Sequence, residues 1–105
     1  MDELVQRLSQ GDHPIRASRV ESAAALKESI DRGVVLFKFT DTRGGTELSA
    51  RFDPAASDLT RGDFAAASGA ARIVGTLTLN YLKVALVADI DLATLAGTGR
   101  LEVRE

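Results

Sequence analysis

The stretch FTDTRGGTEL, residues 39–48, gathers the residue types that hold an anion: Arg43 beside Gly44 and Gly45, with Asp41 and three threonines around them. Successive backbone N–H groups in a glycine-containing turn form a concave anion site, and an arginine can clamp a phosphate or carboxylate. A phosphate loop, however, joins a strand to a helix and borrows the helix N-terminus. Here a strand-like run follows, so the stretch reads as the tip of a hairpin. Its glycines supply positive φ for the reversal, and Asp41 is expected to bond the local backbone. Arg43 is left without a structural duty, which makes it a candidate contact for an anion or a partner.

Asp89 and Asp91 stand two apart on a strand, so their carboxylates share a face at a separation of ~7 Å. Such a pair can do acid–base work or hold a divalent cation, but metal loops draw on more oxygen ligands. The expectation is a solvated face on which these aspartates pair with Arg100 or Arg104. His13, the sole histidine, is the one side chain that titrates near neutral pH; before Pro14 it reads as an exposed loop residue rather than a general base. Tyr81 and Lys83 have the residue types of a tyrosine–lysine reductase pair without its spacing. No catalytic constellation emerges.

The elements that position these residues follow from periodicity. Met1, Leu4, Val5 and Leu8 fall on one helical face, with Gly11 as a stop and Pro14 beyond it. A short extended piece is expected around Ile15–Val20. Ser22 caps a second helix from Ala23 to Arg32, which Gly33 closes. The run VVLFKFT and the alternating ELSARF form an antiparallel hairpin. Residues 54–70 lack clear periodicity, with a turn of helix expected over Asp63–Ala67. In RIVGTLTLNYLKVALVADIDL the apolar positions change parity at Asn80–Lys83, so two strands joined by a tight turn are expected there. Gly97-Thr98-Gly99 is expected to reverse the chain into RLEVR. The predicted fold is an α+β domain: an antiparallel sheet of about five strands, an N-terminal hairpin plus a C-terminal meander, with two N-terminal helices on one face.

Composition narrows the function. With 105 residues the chain fits one domain, and 45% hydrophobic with 27% charged residues is ordinary for a globular one. The absence of cysteine rules out disulfides, thiolate metal sites and cysteine nucleophiles. Basic and acidic residues nearly balance, 13 against 15, and are interleaved, which argues against nucleic acid. The start MDELVQRLSQGD lacks the pattern of a signal peptide, and no apolar run is long enough to span a bilayer, so a cytoplasmic protein is expected. Ten arginines against three lysines suit a GC-rich bacterial genome.

Nothing calls for a cofactor. The function expected is that of a non-catalytic accessory or interaction protein, a homodimer or the partner of another protein, because a small open sheet leaves edges to cover. The alternative is a small-molecule-binding or isomerase-like protein. Its apolar pocket would lie between helices and sheet, walled by Phe37, Phe39, Phe52, Phe64 and Tyr81, with His13, Asp41 or Asp89 at the mouth.

Overall fold

The computed structural model describes residues 3–42, 44–79 and 81–104. Helix α1 spans Glu3–Leu8 and helix α2 Ala23–Asp31. The strands are β1 His13–Ala17, β2 Val34–Phe39, β3 Thr46–Phe52, β4 Gly62–Asp63, β5 Ser68–Leu79, β6 Leu82–Asp91 and β7 Ala96–Arg104.

Where the local chemistry is strong, elements form as expected. The Ser22 hydroxyl accepts from the Ala25 N–H at 3.1 Å and starts α2, whose Ala23, Leu26 and Ile30 are buried. Gly33 ends it at φ 86°. In α1, Val5 and Leu8 are fully buried; Met1 and the Leu4 side chain of the expected stripe lie outside the described residues. The two hairpins stand as well, β2 against β3 and β5 against β6, the latter running to a Leu79–Leu82 pair.

The fold class does not stand. The strands pair in the order β3-β2-β1-β7-β6-β5, and β3 also pairs with β5. Six antiparallel strands therefore close into a barrel, with β4 added outside β5, and strand makes up 53% of the chain against 14% helix. The predicted open α+β sheet with helices on one face is replaced by a closed, mostly β structure. An alternating pattern shows which face of a strand is buried, but the same pattern serves an open sheet and a closed one. Closure rests on pairings between distant residues.

Three particulars produce it. The short extended piece is the strand β1, which starts at His13 and pairs with β2 on one side and β7 on the other, so it joins the hairpin to the meander. Gly75, an inward position of β5, lets β3 approach: a Cβ there would lie 2.6 Å from the Ala50 Cβ and 3.2 Å from the Arg51 carbonyl oxygen. Gly97 and Gly99 are strand residues of β7, not a turn. A Cβ on Gly97 would sit 1.9 Å from the Asp89 carbonyl oxygen, so glycine is required by strand approach. The reversal comes earlier, where Asp91 accepts from the Ala93 N–H and Leu95 takes φ 61°. The helical turn expected over Asp63–Ala67 is instead a small hairpin, Asp63 pairing with Ser68 across it.

Ile15, Phe37, Phe39, Ile73, Leu86, Ile90 and Leu101 fill the barrel, in one cluster with Val5 and Leu8 of α1 and Leu26 and Ile30 of α2. Because α1 precedes β1 and α2 follows it, the helices enter this cluster from the two ends of β1 rather than from a common face. A closed sheet offers its inner face only at the mouths, which is why apolar helix residues go there.

Candidate interaction surface

The edge of β5 that faces β3 is partnered along most of its length. Ser68 and Gly69 pair with β4. Arg72 exchanges backbone hydrogen bonds of 2.9 Å with Asp58. The Val74 carbonyl accepts from the Asp53 N–H at 2.8 Å, and its N–H donates to the Ser57 hydroxyl at 2.9 Å. Gly75 and Thr76 pair with Phe52 and Arg51. There the partnering stops. Among the described residues Leu77–Leu79 pair with β6 alone, and Thr46–Ala50 of β3 pair with β2 alone.

Beside this opening lies a groove of about 370 Å³ lined by Arg51, Thr76, Thr78, Lys83 and Arg104, with Leu77 and Val84 contributing apolar surface. Strand register brings its cations together: Arg51 lies opposite Thr76, Thr78 opposite Lys83, and Lys83 opposite Arg104. Among the described residues no carboxylate lines it. Among the described residues Arg51 and Lys83 have no ion pair, while Arg104 reaches Glu102 only at 3.5 Å. Glu102 is held more closely by Arg100, at 2.9 Å. Among the described residues the groove is thus lined by positive charge, with only Arg104 partly neutralised, on a chain whose net charge is −2. Sequence order hides this, because the three cations belong to three strands.

Tyr81 stands at the tip of the β5–β6 turn, fully exposed and at φ 69°. A tyrosine at positive φ is an outlier, since its Cβ crowds the following carbonyl. Neither burial nor backbone preference accounts for it.

The aromatic residues expected to wall a pocket are dispersed. Phe37 and Phe39 are fully buried in the barrel, Phe52 and Phe64 are half-buried against it, and Tyr81 points to solvent. Asp89 forms a two-pronged ion pair with Arg72, at 2.9 and 3.0 Å, rather than with Arg100 or Arg104. Asp91 caps the β6–β7 turn. Among the described residues no cluster of three histidine or acidic side chains could hold a metal ion. Gly44 and Gly45, both at φ 76°, turn the β2–β3 loop; Arg43 lies outside the described residues. No described helix is long and apolar enough to cross a membrane.

His13 and Asp41 do come together, in a way not expected of a loop histidine. Nδ1 of His13 lies 2.8 Å from the Asp41 carboxylate, while Nε2 lies 3.0 Å from the carbonyl oxygens of both Arg7 and Gln10. Every partner is an acceptor, so both ring nitrogens donate and the imidazolium is the favoured form. The hydrogen bond to Asp41 raises the pKa of His13 above its ordinary 6.5, against the opposing effect of burial. Asp41 also accepts from Arg7 through its carbonyl oxygen, at 3.1 Å. The group ties the end of α1 to the β2–β3 loop over Phe39, whose ring His13 meets edge-on. With both nitrogens donating, the ring offers no lone pair to a substrate. No family model matches this chain, and no characterised protein matches its sequence.

Proposed function

We propose that this chain is a small non-catalytic interaction module that works by presenting the Arg51–Lys83–Arg104 groove and the neighbouring Tyr81 to a partner protein. The observation that carries the reading is Tyr81: a fully exposed aromatic in a left-handed backbone conformation, two residues from Lys83 in a groove whose Arg51 and Lys83 have no ion pair among the described residues. Tyrosine and arginine are the residue types that dominate binding energy at protein interfaces.

A different protein suits the groove better than a second copy of the chain. Two-fold pairing of this surface would set the same patch against itself, bringing like charges together. Closure of the barrel also covers most of the sheet edge that an open fold would have left for a homodimer.

The test is a photo-crosslinking amino acid at position 81 in cells that make the protein. A discrete adduct that is lost in the Lys83→Glu variant is expected, with none from the same group at Ala24 on the exposed side of α2. Equal labelling from both positions would refute the reading. Sedimentation at micromolar concentration is expected to give the monomer mass, and a dimer mass would move the partner to a second copy.

A further inference from the structure

The groove and the strand opening are adjacent, and together they specify the shape as well as the charge of an occupant. A two-residue turn joins β5 to β6, so Leu79 and Leu82 form a hydrogen-bonded pair. Alternation then turns the backbone N–H and C=O of Thr78 away from β6, towards the side where β3 no longer pairs. Its side chain points outward, in the same rung as Lys83 and Arg104. A segment hydrogen-bonded to Thr78 would therefore set every second side chain on the outer face, beside those cations. Arg51 stands one alternation further along, opposite Thr76.

From this juxtaposition we propose that the opening between β3 and β5 takes an extended acidic segment of the partner protein as an added strand. Its backbone pairs with β5 at Thr78, and its carboxylates lie against Arg51, Lys83 and Arg104. The proposal rests on the interaction-module reading and names the partner's chemistry. Strand addition uses an unpaired edge for affinity and alternate side chains for specificity. Here the edge is short, so main-chain bonds alone would be weak, and the cations supply the selection for an acidic sequence. Arg51 and Lys83 have no ion pair among the described residues, and only the 3.5 Å contact of Arg104 with Glu102 would compete with an incoming glutamate.

The probe is a short synthetic peptide alternating threonine and glutamate, added to the isotope-labelled protein and followed by amide shifts and hydrogen exchange. Shifts centred on Thr78, Leu77 and Leu79, with slowed exchange of the Thr78 amide, are expected. A peptide with lysine in place of glutamate should leave these signals unmoved. The glutamate peptide methylated on each glutamate nitrogen keeps its charge and loses its donors; it should bind at least about tenfold more weakly. Lys83→Glu and Arg51→Glu, both at exposed positions, should abolish the shifts without altering the circular dichroism spectrum.

Equal binding by the methylated peptide would overturn strand addition, as would shifts confined to another surface or none at all. Tighter binding of a short single-stranded oligonucleotide to the same residues would overturn the assignment to a protein. A crosslinked partner at position 81 with no response to the acidic peptide would refute the acidic strand while leaving the interaction module intact.

Discussion

Gly75→Ala tests the closure of the barrel directly. The added methyl carbon would stand 2.6 Å from the Ala50 Cβ, and 3.2 Å from both the Arg51 carbonyl oxygen and Val35 Cγ2. Carbon atoms in contact prefer about 3.5–4.0 Å, so the first of these distances must open by roughly an ångström. Backbone is involved, and β3 can yield only by drawing away from β5, to which it pairs at just Arg51–Thr76 and Phe52–Gly75. Overpacking of this kind costs about 1–3 kcal/mol, and each seam hydrogen bond that loosens adds about 0.5–1.5 kcal/mol. A loss of about 2–3 kcal/mol is expected, which for a domain near 100 residues lowers the melting temperature by about 10–20 °C.

The assay is urea and thermal unfolding by far-ultraviolet circular dichroism, because the chain has no tryptophan and its one tyrosine is already exposed. Ala50→Gly alone should also destabilise, through lost burial and a more flexible chain, by about 1–2 kcal/mol. Combined, the two substitutions should cost less than their sum by about 1 kcal/mol or more, since removing the Ala50 methyl relieves the worst contact. A Gly75→Ala protein as stable as wild type would refute the reasoning. Strict additivity in the double variant would refute the assignment of the strain to this contact.

Two further outcomes follow from other parts of the fold. His13 has a folded-state pKa above its ordinary 6.5, so the stability it contributes is fully present below pH ~6.5 and is lost as pH rises through the folded value. The unfolding midpoint should fall over that window in wild type and stay flatter in Asp41→Asn; a midpoint that rises with pH there would contradict the His13–Asp41 pairing. Tyr81→Gly removes a side chain from a left-handed backbone site without uncovering any core, so it should raise the melting temperature, and a lower one would mean that the ring has a structural contact.

The sequence was readable where a single element carries its own instructions. Ser22 with Gly33 bounds α2, and the parity change between Leu79 and Leu82 locates a hairpin without any tertiary knowledge. What failed was the inference from strands to sheet. Gly75, isolated inside the strongest strand pattern, was the available signal of a close backbone approach. Pro14 obscured β1, since proline is ordinarily kept from interior strands. It is tolerated because its carbonyl still accepts from Thr40 N–H at 3.1 Å while its missing donor falls near the strand's start. The site was harder still. Arg51, Lys83 and Arg104 are scattered among acidic residues in sequence and converge only through register. His13 meets Asp41 across a stretch that no local pattern connects.

The pairing of β1 with β7 sets the order in which the structure can be completed. During synthesis β1 leaves the ribosome before the other described strands, and its neighbour β7 leaves after them. The β2–β3 and β5–β6 hairpins can form as they emerge, but Ile15 has nothing to lie against on its β7 side until Gly97 is out. A nascent chain therefore holds the aliphatic inner faces of both hairpins open to solvent until β7 has been made. That makes the last strand the one whose truncation would turn a barrel into a sticky sheet.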